Sequence, residues 1–270
     1  MNSFDIDIEL TSLSETEFKV NIADSWNINV GPNGGYIAAI LLNGMKKAIG
    51  EVQSRSFTCH FLSASVPGSA ILKVHVEKKG RTLSSVTSQL HQKGKSIAFS
   101  IATFADNLIA PTFNDVIMPR VQRPEDIAME ERMIAGSPMF VPFRAKYDQR
   151  PAIGPKLGEL SNKARVGGWT KFSDARQFDD LGLLAISDSW YPSLKGRSEE
   201  PFHTPTVDHT VHFLANPIDA ECEFLLVMFE TETAANGYLI EDGFIWSENG
   251  CLLARSRQLA IMLPKRDGDI

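Results

Sequence analysis

His60-Phe61-Leu62-Ser63-Ala64 in the first half of the chain returns as His212-Phe213-Leu214-Ala215-Asn216 in the second. Working outward, Trp26 precedes an apolar run at 35–49, and Trp169 precedes a similar run at 179–191. Downstream, Gln92-Lys93-Gly94-Lys95-Ser96-Ile97-Ala98 is answered by Glu248-Asn249-Gly250-Cys251-Leu252-Leu253-Ala254. The offsets, 169 − 26 = 143, 212 − 60 = 152 and 250 − 94 = 156, rise in order, as they do when a second copy carries short insertions. The chain is therefore read as a duplication. Polar residues present in only one copy are not required by the shared fold, so they mark where chemistry can sit.

Phe4, Ile6, Ile8 and Leu10 alternate with acids, and Phe18, Val20 and Ile22 alternate likewise, so both stretches predict half-buried strands. Gly31-Pro32-Asn33-Gly34-Gly35-Tyr36 is a turn-rich lead into 37–49, apolar nearly all round, which predicts a buried helix. Strands are expected at 54–64, 69–78, 82–92 and 95–105, with turns at Pro67-Gly68 and Lys93-Gly94. Residues 106–160 hold seven of the fourteen prolines and read as a connector with a short helix over 124–133. It runs into a second set: a strand at Phe143, Ala145 and Tyr147, a strand holding Trp169, and a helix at about 179–191. Strands follow at about 204–215, 221–233, 234–247 and 251–263. The expected units are 1–105, a connector 106–140, and 141–270. One helix and about six strands per copy make the fold α+β, each helix lying across an antiparallel sheet.

A net charge of −6 argues against nonspecific nucleic-acid binding, which needs a basic surface. Cys59, Cys222 and Cys251 show no paired spacing, so a disulfide framework is not expected and a cytoplasmic, reducing setting fits. The first residues lack a signal-peptide pattern, and Lys265 to Ile270 reads as a polar tail without an address signal. No apolar run approaches the ~20 residues of a membrane span.

A sheet wrapped around a central helix is the plan of the hotdog fold, and two copies in one chain resemble a double hotdog. Four stretches carry a resemblance to the acyl-CoA thioesterase II (TesB-like) family. They are Trp26 with Gly31-Pro32-Asn33-Gly34-Gly35-Tyr36; Leu184-Ala185-Ile186-Ser187-Asp188; Thr206-Val207-Asp208-His209-Thr210-Val211-His212-Phe213; and Arg255-Ser256-Arg257-Gln258. The resemblance covers most of the chain and is weakest in the connector. It implies hydrolysis of acyl-CoA to a free acid and coenzyme A, with no metal or bound organic cofactor. It also implies an active-site set of Asp, Thr and Gln, here Asp188, Thr206 and Gln258. Closed symmetric dimers are the commonest soluble oligomers, so a homo-oligomer, most simply a dimer, is expected.

Taken alone, each of the three has a plain structural reading. Asp188, placed in the C-terminal part of the second helix before Pro192, reads as a surface acid. Thr206 is an ordinary residue at a strand start. Gln258 shares a strand face with Ala254, Ser256, Ala260 and Met262, and copy one has Ala102 near that place. Together they suit a carboxylate that takes a proton from water while two polar groups hold that water. Gly34, Gly35 and Tyr36 open a helix and are candidate oxyanion or substrate-binding donors, with a ligand-free tight turn as the equal alternative.

Other constellations are weaker. Asp208, His209 and His212 suggest a metal, but 209 and 212 face opposite sides of a strand. There is no GxSxG, GxxxxGK[ST] or GxGxxG motif. Arg55, Arg81, Lys93, Lys95, Arg255 and Arg257 are candidate contacts for coenzyme A phosphates, against a default of solvated charge. Two rival functions remain at this point. One is a non-catalytic acyl-CoA or lipid-binding protein on the same fold. The other is an enoyl-thioester hydratase using Asp208-His209.

Overall fold

The computed structural model describes residues 2–50, 52–129, 136, 140–156, 158–198, 202–217 and 222–264. The polar C-terminal tail and residues 130–133 of the expected connector helix lie outside them. Twelve strands form one antiparallel sheet. They are β1 (Thr11–Ser12), β2 (Glu17–Ile22), β3 (Ser54–Phe61), β4 (Gly68–Lys79), β5 (Ser84–Gln92) and β6 (Lys95–Phe104) in the first half. The second half supplies β7 (Tyr147–Ile153), β8 (Ala164–Phe172), β9 (Thr206–Phe213), β10 (Leu225–Ala235), β11 (Tyr238–Ser247) and β12 (Leu252–Ile261). Their spatial order is β1-β2-β4-β5-β6-β3-β9-β12-β11-β10-β8-β7. The second half of that order repeats the first in reverse, which is what a two-fold relation between copies requires.

The relation is visible in the register. β3 pairs β9 with Asp208 opposite His60 and His212 opposite Ser56. Since 208 − 56 and 212 − 60 are both 152, each pair is the other turned about an axis. Thr58 and Thr210 lie on that axis, opposite one another, with their hydroxyls 3.0 Å apart. The seam thus joins two half-sheets into one.

Two main helices fill the concave side. α2 (Gly34–Ile49) has Asn33 as N-cap, its Oδ1 accepting the Tyr36 N–H at 3.1 Å, and Lys46 and Lys47 at its negative end. It is buried from Tyr36 through Leu42 without a polar face, because the sheet covers one side and the second copy's helix the other. α3 (Asp180–Ile186) is capped by Asp179, whose Oδ1 accepts the Gly182 N–H at 2.7 Å.

Four expectations need correction. Residues 3–7 form a helix, α1 (Ser3–Asp7), not a strand; Asn2 caps it, and Phe4 and Ile8 are buried while Ile6 is exposed. Spacing of four suits a helix as well as alternation does, and the cap decides. Pro142 starts a 3₁₀ turn over Pro142–Lys146, so the strand begins only at Tyr147. Within the connector, the helix expected from 124 is a single 3₁₀ turn at Pro124–Asp126. The second helix stops at Ile186, far short of 191.

α1 carries a hub that ties the copies together. Asp7 Oδ2 accepts the Trp26 Nε1–H at 2.8 Å and the Lys146 ammonium at 2.7 Å, and Asp7 O accepts the Tyr36 hydroxyl at 2.8 Å. Trp26 stacks on Tyr36 with ring centroids 4.8 Å apart. Asp7→Ala leaves a buried indole N–H and a nearly buried ammonium unpaired. It should cost about 2–3 kcal/mol, read as a fall in Tm of roughly 5–10 °C. An unchanged melting curve would show that the hub contributes nothing.

Candidate active site

Asp188 sits on the turn just beyond α3, not within the helix. Ser187 caps the helix, its hydroxyl bonding back to Leu184 O, and Asp188 is thereby delivered to the N-terminus of α2 from the other copy. Its Oδ2 accepts the Gly35 N–H at 2.8 Å and the Asn33 Nδ2–H at 3.0 Å. Asn33 Nδ2 also bonds the Asp188 carbonyl at 2.9 Å. The approach is close enough to need glycine: a Cβ on Gly35 would lie 2.6 Å from Ala185 O and 3.0 Å from Asp188 Cβ. On Gly34 it would lie 2.9 Å from Asp188 Oδ2.

Thr206 and Gln258 meet directly: the Thr206 hydroxyl donates to Gln258 Oε1 at 2.9 Å. Strict alternation places Thr206 on the face opposite His209. A bulge at Val207, between the pairs Thr206–Ala260 and Asp208–Leu259, turns it inward. No hydrogen bond joins Asp188 to Thr206 or Gln258. Gln258 Nε2 instead donates to Glu241 Oε1 at 2.7 Å, and Glu241 is near enough for its charge to act on Asp188.

Tyr36, grouped with the two glycines as a candidate donor, is a core residue. It is wholly buried, its N–H serves the Asn33 cap, and its hydroxyl joins Asp7 O to the Ala23 N–H. Among the six basic candidates for phosphates, three have partners within the protein. Arg55 bonds Ala105 O, Gln53 and Asn107; Arg257 pairs with Asp242; Arg255 stacks on Phe244.

Two family models match this chain: an acyl-CoA thioesterase N-terminal domain over residues 22–105, and an acyl-CoA thioesterase C-terminal domain over 121–262. The chain belongs to the acyl-CoA thioesterase family. Thioester hydrolysis is accordingly its reaction class. Among solved structures, it is similar to a conserved hot-dog-fold protein of unknown function from Alicyclobacillus acidocaldarius. That match has 23% identity and a TM-score of 0.90, over 98% of this chain and 100% of the other. A putative thioesterase II from Thermobifida fusca matches with 22% identity and a TM-score of 0.83, over 97% and 98%. An acyl-CoA thioesterase II, TesB2, from Mycobacterium marinum matches with 18% identity and a TM-score of 0.75, over 98% and 100%. No curated protein sequence matches significantly. These likenesses make the hotdog fold plain. No helix among the described residues is long and apolar enough to cross a membrane.

The thioesterase has a mirror of this place, and the mirror is filled differently. The two-fold relation sends Thr206 to Ser54 and His209 to Phe57; Gln258, opposite His209, corresponds to Ala102, opposite Phe57. There Ser54 and Lys46 both bond Asp180, at 2.5 and 2.6 Å, beside a cleft of about 570 Å³. An ion pair occupies the mirror where the second copy presents a carboxylate to a helix N-terminus.

Two residues of the thioesterase were passed over in the sequence. From sequence His209 reads as a metal ligand or, with Asp208, as half of a hydratase pair, not as a support for Asp188. Its Nε2 bonds Ser187 Oγ at 2.7 Å, and that hydroxyl also bonds Leu184 O at 2.8 Å, so His209 fixes the turn that carries Asp188. Burial lowers its pKa to about 4, so the ring is neutral. Glu241 was not weighed at all, although Leu239, Glu241 and Gly243 alternate inward along β11. Cys59 lies opposite His209 on the same face, but burial and then the charges of Asp188 and Asp208 push its thiol up, so it stays protonated.

Burial also raises the Asp188 carboxyl to about 7, opposed by the Gly35 N–H and the Asn33 amide. The folded state therefore holds this proton more tightly than the unfolded chain. That contribution to stability is present below about pH 4 and is lost as pH rises through about 7. Asp188→Asn removes the loss. Thermal melts should show the variant above wild type by roughly 4 °C or more at pH 8 and close to it at pH 4.5. A pH-independent difference would mean the carboxyl has an ordinary pKa.

Proposed function

We propose that this thioesterase hydrolyses acyl-CoA by direct attack of water, with Asp188 as general base and Thr206 and Gln258 holding the water. The observation that carries this reading is the placement of Asp188. A carboxylate with a proton affinity near neutrality is fixed against a helix N-terminus, on the side of the sheet that carries the Thr206–Gln258 pair. The water oxygen bonds the carbonyl carbon as one of its protons passes to Asp188, and the carbonyl π pair moves onto oxygen. The C–S bond then breaks, sulfur leaves with the bonding pair, and Asp188 returns the proton to give the coenzyme A thiol. No acyl-enzyme is needed, consistent with the protonated state of Cys59.

The oxyanion is assigned to the same helix end. A carbonyl beside Asp188 meets the Gly34 and Gly35 N–H groups, whose hold on the carboxylate weakens as Asp188 takes up its proton. Residues 1–105 and 141–270 are taken as the two hotdog units, with 106–140 between them. The free cysteines support a cytoplasmic setting, and an acyl-CoA substrate suits fatty-acid metabolism.

Release of coenzyme A thiol from acyl-CoAs of graded length is the test. Asp188→Asn should lower kcat by about 10²–10⁴-fold. For wild type, kcat/KM should rise with pH through about 7 and level off above it, because the base acts ionised. Equal turnover by both proteins would remove Asp188 from the mechanism.

We further propose a homodimer. Leu108, Ile109, Phe113 and Ile117 of the connector are each more than two-thirds exposed, an apolar set that favours a partner surface. Sedimentation equilibrium should give twice the chain mass; a monomer at micromolar concentration would end this proposal.

A further inference from the structure

We propose that Glu241 is a positioning residue that fixes the direction of hydrogen bonding through Gln258 and Thr206, and so turns the attacking water. This rests on the water-attack reading given above. Glu241 lies in β11 directly opposite Gln258, with 5% of its surface exposed. Its Oε1 accepts the Gln258 Nε2–H at 2.7 Å, and its Oε2 accepts the Ser193 N–H at 2.6 Å.

Burial raises the Glu241 carboxyl, opposed by its hydrogen bonds from Ser193 and Gln258; with an N–H donor on each of its oxygens it serves only as an acceptor. Gln258 must therefore present its amide nitrogen to Glu241 and its oxygen to Thr206. The single hydroxyl proton of Thr206 is then committed to Gln258 Oε1, leaving Thr206 Oγ able only to accept from water. Ionised Asp188 also only accepts. A water between Asp188 and Thr206 donates one hydrogen bond to each, which turns both of its lone pairs away from these two groups and toward the carbonyl carbon. Without the carboxylate, Gln258 can turn over and Thr206 can donate to the water, which binds one lone pair to Thr206 and rotates the water away from the attacking direction.

The first copy supplies an internal control. At the equivalent place Val86 lies opposite Ala102, both buried, where the second copy has Glu241 opposite Gln258. The shared fold accepts an apolar pair here, and a buried carboxylate costs stability unless donors hold it. The acid and the amide occur together, in the copy that carries Asp188.

The experiment is a double-mutant cycle on kcat and KM for coenzyme A thiol release, using Glu241→Gln, Gln258→Leu and the double variant. Glu241→Met is measured in parallel, and melting curves check that each variant is folded. Glu241→Gln and Glu241→Met should each lower kcat by about 10- to 100-fold with KM within about 2-fold of wild type. In the Gln258→Leu background the same change should cost less than about 2-fold, because the residue through which Glu241 acts is gone. Wild-type kcat in both Glu241 variants, or equal losses in both backgrounds, would overturn the proposal while leaving the water-attack reading intact. Absence of thioester hydrolysis by wild type would overturn that reading, and this inference with it.

Discussion

The pairing of Ser54–Phe61 with Thr206–Phe213 is the contact on which the rest of the molecule depends. It converts two half-sheets into one and leaves neither with a long unpaired edge at its centre. It also sets the two helices head to tail. The N-terminus of α2 therefore faces the turn beyond α3, and the N-terminus of α3 faces the last turns of α2. Each copy contributes part of each of the two places so formed. A single copy would have either the glycine-rich helix start or the carboxylate, but not the two in contact.

Duplication then let the two places diverge. In one, the partner of the helix end is Asp188, held by backbone and amide donors. In the other, Lys46 meets Asp180 and Ser54 closes the set. The first keeps a carboxyl whose charge is poorly compensated, and burial raises its pKa. The second compensates its carboxylate with an ammonium, an arrangement that favours structure over proton transfer. The two acids thus differ in whether a cation meets them.

Much of this was readable in the sequence because duplication makes each copy an annotation of the other. The strands from Ser54 to Phe104 and the buried helix after Gly34 followed from alternation and turn residues. α1 did not, since Phe4 and Ile8 satisfy a period of four and an alternating pattern equally. Thr206 was placed correctly in the chain but not on a face, because the bulge at Val207 reverses its direction and leaves no compositional mark. Asp188 was assigned to a helix that ends before it, where Ser187 bonds back to Leu184. Glu241 was overlooked because an acid in a strand is ordinarily solvated. The inward parity of Leu239 and Gly243, and Val86 in the other copy, were the signals available.

The Thr58–Thr210 contact on the axis has a consequence for assembly. In a pair of separate hotdog subunits, the residue on such an axis meets its own copy, and the seam forms only as fast as two chains collide. Here the same seam closes within one chain, across 152 residues of sequence. Loop-closure entropy grows only logarithmically with length, so the long span adds little to the cost. Tethering replaces bulk concentration with an effective concentration of the millimolar order for a short flexible linker, and somewhat less for a longer one. Formation of the central sheet is thereby independent of how much protein is present, at the expense of a high contact order and slow folding.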